Sequence, residues 1–190
     1  MRIAISGTHC SGKSSLIEAF LDQYPHFCHE VEGYEALEQL PGECFSSEAN
    51  AEDLFRQFAY CIERLGASEP SANVVFERSP FDYVAYLQAL DQLRRDTANY
   101  ELTQQVLEIA RGSIDRLDVI AYLPLDGCKI EVSEDEDPQL RRAVDRKLKA
   151  IWLRSDLDVF SNSPTIIELS GSTQQRLVSL GAQCFRGDLT

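Results

Sequence analysis

Eight residues near the amino terminus, Gly7-Thr8-His9-Cys10-Ser11-Gly12-Lys13-Ser14, match G-x-x-x-x-G-K-[ST] without a mismatch. The two glycines let the backbone turn tightly, so that successive N–H groups of Gly7, Thr8, His9, Cys10, Ser11, Gly12 and Lys13 converge on one anion. A helix opening near Lys13 adds its positive end to the same point and extends the cradle to Ser14 and Ser15. This chemistry holds a nucleoside triphosphate: Lys13 reaches the β- and γ-phosphates, and the Ser14 hydroxyl enters the shell of a Mg²⁺ ion. His9 and Cys10 stand at variable positions and receive no catalytic role.

A magnesium ion at Ser14 calls for an acidic partner, and Val74-Val75-Phe76-Glu77 is an apolar run ending in a carboxylate. Glu77 is the candidate. Arg78 follows at once and can offset phosphate charge; without the phosphate-binding pattern, the two read simply as a strand-end ion pair. Asp118 and Asp126 bracket another apolar run and are the competing metal carboxylates, although turn and cap roles suit such residues as well. Phosphoryl transfer also needs positive charge on the migrating group and exclusion of water, both commonly supplied by a closing segment. Residues of about 127–155 could form that lid, with Glu131 to Asp137 acidic and Arg141, Arg142 and Arg146 on a basic helix. Arg142 and Arg146 share a helical face and Arg141 points elsewhere. Arg142 or Arg141 is the expected phosphate contact, Arg142 taken as the catalytic one, with Arg146 third.

These groups need elements to position them. Arg2 to Ser6 reads as a strand, and Leu16, Ile17, Phe20 and Leu21 form the apolar face of a helix ending before Pro25. His26 to Val31 is a weaker second strand, followed by a short helix or loop up to Pro41-Gly42. Helical spacing predicts helices over Asn50–Leu65, Phe81–Leu93, Tyr100–Leu117, the basic segment after Pro138, and Thr173–Leu180. Val74–Phe76, Val119–Leu123 and Thr165–Leu169 are continuous apolar runs suited to strands covered on both faces. Strands alternating with helices and lacking hairpin signals predict an α/β fold with a parallel sheet between two helical layers. At 190 residues the expectation is a single domain over 1–190.

The cradle, Glu77-Arg78-Ser79 at a strand end and the arginine-bearing helix together resemble the nucleoside and nucleotide kinase group of P-loop proteins. The nearest resemblance is to the AAA-type ATP-binding family related to nicotinamide-riboside and deoxynucleoside kinases, where a P-loop, an acidic-Arg-Ser-Pro segment and a closing Gly-Ser-x-x-x-Arg stretch recur in this order. The resemblance implies a three-layer P-loop fold with a five-stranded parallel sheet in order 2-3-1-4-5 and a helical lid. It places Glu77 near Mg²⁺ and Arg78 near the transferred group. In such kinases a carboxylate after the second strand is the general base; Glu30 and Glu32 occupy that region, and Glu32 is the choice. Gly33-Tyr34 departs from the aromatic and basic residues usual there. The loop after the last strand sits beside the base, so Gly171 and Ser172 would frame adenine and Arg176 would stack or pair there.

The formal charge of −13 disfavours a nucleic-acid partner. No segment has the length of a membrane span and no signal-peptide core is present, which, with six cysteines lacking any C-x-x-C pair, points to the cytoplasm. Guanine-specific switches need N-K-x-D and usually D-x-x-G, and neither occurs, so ATP is expected. The leading expectation is an ATP- and Mg²⁺-dependent phosphotransferase acting on a nucleoside, nucleotide or related metabolite. An ATP-hydrolysing regulatory switch and a binding module are the competitors. The sequence leaves pairing with a second copy of the chain open.

Overall fold

The computed structural model describes residues 1–42, 44–46, 48–95, 100–126, 137–153 and 164–185. Five strands, β1 (Arg2–Ser6), β2 (Cys28–Glu30), β3 (Val74–Glu77), β4 (Val119–Tyr122) and β5 (Thr165–Glu168), form one sheet in the order β2-β3-β1-β4-β5. All four pairings are parallel, with Ile3 opposite both Val75 and Val119. The expected strand order is therefore the observed one.

Period-two alternation divides the strand side chains between two layers. Ala4, Val74, Phe76, Ile120 and Tyr122 face α3 (Ala51–Ala67), α4 (Pro80–Leu93), α5 (Tyr100–Ser113) and α6 (Pro138–Leu153). Ile3, Ile5, Val75, Val119 and Ala121 face α1 (Lys13–Gln23) and α7 (Thr173–Cys184). The three central strands are buried over their whole length, which is why they read as unbroken apolar runs. The short helix α2 (Gly33–Glu38) leads from β2 towards α3.

Two helices depart from the expected bounds. The helix begun at Tyr100 leaves α-geometry at Ser113 and continues as a 3₁₀ turn over Ile114–Arg116. Gly112 is a poor helix former and the Ser113 hydroxyl donates back to the Ala110 carbonyl (2.8 Å), both loosening the last turn. The last helix runs beyond Leu180 to Cys184, because Gly181 lets Tyr24 close over it and Tyr24 packs on Phe185 with ring centres 4.7 Å apart. The acidic part of the expected lid, 127–136, lies outside the described residues. Among the described residues no helix is long and apolar enough to cross a membrane.

Candidate functional site

Every strand of a parallel sheet delivers its carboxyl end to the same edge, and β1 and β3 are direct neighbours with Ile5 opposite Glu77. The loop after β1 and the residues after β3 are thereby brought together. Gly12, at φ 90°, is the N-cap of α1 and supplies no side-chain cap. The first-turn amides of Lys13, Ser14 and Ser15 thus remain open towards the loop, with the helix dipole behind them. Cys10, at φ 50°, also takes a left-handed turn. The loop is held from three sides. The Gly7 amide donates to Asp82 Oδ1 (2.9 Å), the His9 amide donates to the Tyr86 hydroxyl (3.0 Å), and Arg176 donates to the Ser11 carbonyl (2.8 Å).

Lys13 is buried, and its ammonium donates to the Thr8 carbonyl (3.2 Å) and lies 3.9 Å from Glu77 Oε1. Burial, and then the neighbouring Arg78, lower its pKa, while Glu32, Glu77 and Asp82 oppose the shift. The Ser14 hydroxyl donates to Glu77 Oε1 (3.1 Å). Uncapped amides and a cation suit an anion, and a hydroxyl with a carboxylate suits a hard divalent ion. The residues present thus fit a magnesium–triphosphate ligand. Among the described residues no group of three or more His, Cys, Asp or Glu could hold a metal; an ion at Ser14 and Glu77 would draw the rest of its shell from phosphate and water.

Arg78, at φ 76°, turns its guanidinium back under the loop. It donates from Nε to Glu32 Oε1 (2.6 Å) and from another nitrogen to the Gly7 carbonyl (3.0 Å), and it lies over the Tyr86 ring at 5.0 Å. Burial works against the Arg78 charge, but Glu32, Tyr86 and Asp82 outweigh it and raise its pKa well above the ordinary value. In Glu32 burial pushes upward, yet Arg78 and Lys13 prevail and hold the carboxyl below its usual range. Glu30 is engaged elsewhere, paired with Arg64 of α3 at 2.6 Å. Of the two glutamates, only Glu32 lines a cavity of about 850 Å³ beside the loop, bounded by α2, the segment before α3, α3, α4 and the start of α6. Gly33 permits this placement: a Cβ there would lie 3.0 Å from the Gln57 backbone.

Several expected residues fall elsewhere. Arg142 and Arg146 are exposed, whereas Arg141 donates to the carbonyls of His9 (3.1 Å) and Cys10 (2.8 Å). The helical register of α6 brings Arg141, not Arg142, to the loop. Arg176 is only 4% exposed and braces the loop through Ser11, so stacking on a base is not the role its position suggests. Ser172 caps α7 by accepting from the Gln175 amide (3.3 Å), with Gly171 beside it at φ 90°. Asp118 accepts from the Arg2 amide (2.7 Å) where β1 and β4 begin, at the sheet edge opposite the loop, and Asp126 pairs with Lys149. Neither stands with Ser14. Asp82, Tyr86 and Gln57 were not singled out from the sequence. Ser79-x-x-Asp82 is readable as a helix cap, but nothing in the spacing announces the bond to Gly7.

A family described as AAA domain matches residues 2–176. The chain belongs to that family. Solved structures share its fold: deoxyadenosine kinase from M. mycoides with the products dCMP and a flexible dCDP bound (TM-score 0.66, 11% identity, 97% of this chain and 98% of that one) is one. The same enzyme with bound dATP gives a TM-score of 0.67 at 11% identity, over 97% and 99% of the two chains. No curated protein matches the sequence. The AAA domain of this chain thus carries the P-loop nucleoside and nucleotide kinase-like fold.

Proposed function

We propose that this chain is an ATP- and Mg²⁺-dependent phosphotransferase that transfers a phosphoryl group to a small-molecule acceptor, a nucleoside, nucleotide or related metabolite. It would act in the cytoplasm as one domain over 1–190. The observation that carries this reading is the Glu32–Arg78 pair: Arg78 touches the phosphate-binding loop at the Gly7 carbonyl, and Glu32 lines the adjoining cavity. A carboxylate held ionised therefore stands between the triphosphate cradle and a space large enough for an acceptor. The deoxyadenosine kinase structures, whose bound molecules are dCMP, dCDP and dATP, support the reading by shared fold.

Bound Mg²⁺·ATP supplies the phosphoryl group and neutralises charge developing on it. The chain's own residues do the rest. The amides of the first turn of α1 and the Lys13 ammonium hold the phosphates, and Ser14 with Glu77 seats the ion. Arg141 stands where it can exchange its two loop carbonyls for phosphate oxygens. Glu32 uses one oxygen for Arg78 and keeps Oε2 to orient the acceptor hydroxyl and receive its proton. A weakly basic carboxylate suffices, since phosphoryl transfer asks little proton removal before the transition state.

Release of ADP, followed with and without a panel of nucleosides, nucleotides, vitamins and sugars, tests the proposal. Acceptor-dependent ADP formation, abolished in Lys13→Ala, is expected. ADP formed at the same rate whatever is added would replace the reading by that of a hydrolysing switch, and no ADP at all by that of a binding module.

A further inference from the structure

Side-chain cations hold the carbonyls of the phosphate-binding loop in succession: Arg78 at Gly7, Lys13 at Thr8, Arg141 at His9 and Cys10, and Arg176 at Ser11. Lys13 stands 3.9 Å from Glu77, and Arg78 2.6 Å from Glu32. Arg141 and Arg176 have no carboxylate partner among the described residues, and Arg176, on the buried face of α7, is the deeper of the two. One terminal nitrogen of Arg176 donates to the Ser11 carbonyl, while its Nε is buried without an acceptor among the described residues.

A guanidinium keeps its charge at any pH the fold survives. Burying that charge without a counter-charge costs more than one hydrogen bond to a carbonyl returns. The surroundings add to the cost. Ser11 directly precedes Gly12, the N-cap of α1, so Arg176 is held against the positive end of that helix, where a cation is disfavoured. An anion in the cradle is what balances this corner of the loop. The path from Arg176 to that anion runs through one peptide unit. In a trans peptide C=O and N–H point in opposite directions, so the Ser11 carbonyl turned to Arg176 sends the Gly12 N–H to the other side of the loop. A charged donor on the carbonyl also polarises that N–H and strengthens it.

We propose that Arg176 is a positioning residue of the triphosphate site, acting through the Ser11–Gly12 peptide, and that the phosphate chain, not a carboxylate, balances its charge. Bound phosphate thereby fastens α7 to the loop and couples docking of the last helix to nucleotide binding. The proposal rests on the nucleotide cradle of the reading above and not on phosphoryl transfer.

Calorimetric titration of the full chain with Mg²⁺·ADP and with Mg²⁺·tripolyphosphate, which lacks base and sugar, tests this beside thermal melting of Arg176→Met and Arg176→Lys. Arg176→Met should weaken both ligands by the same factor, about 10-fold or more. Without ligand it should nevertheless melt about 2 °C or more above the wild type, because the uncompensated charge is gone. Arg176→Lys keeps the charge and should hold both affinities within about threefold. A ligand-free Arg176→Met that melts below the wild type or fails to fold would make Arg176 a structural brace and overturn the proposal. So would a loss confined to ADP, which would move Arg176 to the base, or affinities as low in Arg176→Lys as in Arg176→Met. A wild-type chain that binds neither ligand at millimolar concentration would remove the cradle and the proposal with it. One that binds both but forms no ADP from ATP with any acceptor would sink the phosphotransferase and leave the role of Arg176 standing.

Discussion

Asp82 is fully buried and accepts three hydrogen bonds: from the Gly7 amide at 2.9 Å, the Ser79 amide at 2.9 Å and the Ser79 hydroxyl at 2.7 Å. Replacing it by alanine leaves three buried donors without their acceptor. Each loss costs on the order of 1–3 kcal/mol, partly relieved by repacking and by rotation of the Ser79 hydroxyl, so the net destabilisation should be about 3–5 kcal/mol. For a domain of this length that corresponds to a fall in Tm of roughly 6–20 °C. The same change releases the start of the phosphate-binding loop, and affinity for Mg²⁺·ATP should fall about 10-fold or more. Asp82→Asn keeps one accepting oxygen but turns an NH₂ against a donor, so an intermediate loss of about 2 kcal/mol is expected. Urea unfolding and calorimetric ATP titration on both variants measure these effects. A loss below about 1 kcal/mol together with ATP affinity within twofold of wild type would refute the idea that this carboxylate anchors the loop.

Glu32→Gln should lower kcat on the order of 100-fold with ATP binding little changed, as acceptor-dependent ADP release would report. Because the Glu32 carboxyl is held below its ordinary range, its stabilising pair is present above the unfolded value of about 4.3 and is lost as pH falls through the lower folded value. The stability difference between wild type and Glu32→Gln should therefore persist at pH 5–7 and shrink at more acidic pH, measured by urea unfolding. Glu77→Gln should raise the Mg²⁺ concentration for half-maximal activity about 10-fold, read from a magnesium titration at fixed ATP. Arg141→Ala should cost about 10-fold or more in kcat/KM, while Arg142→Ala stays within about twofold, and equal losses would contradict the register seen in α6.

The local chemistry of the cradle was legible in the residues themselves. G-x-x-x-x-G-K-[ST] between a strand and a helix reports a local backbone shape, and Gly12 at φ 90° ahead of an uncapped Lys13 is what that pattern requires. The strands were legible too, because burial on both faces demands the continuous apolar runs at Val74 and Val119, and resemblance supplied their order. Tertiary structure alone decided which groups meet across the fold. Glu30 and Glu32 are equivalent on paper, and only packing against α3 sends one to Arg64 and the other to Arg78. Arg141 and Arg142 differ by about 100° of helical rotation, which is fixed by the side chains α6 buries, not by the arginines. Asp82 and Gln57 lie on helices whose apolar spacing conceals them, since a bond from α4 to Gly7 spans distant parts of the chain. Periodicity reports whether a side chain is buried, whereas its partner is set by how separate elements pack.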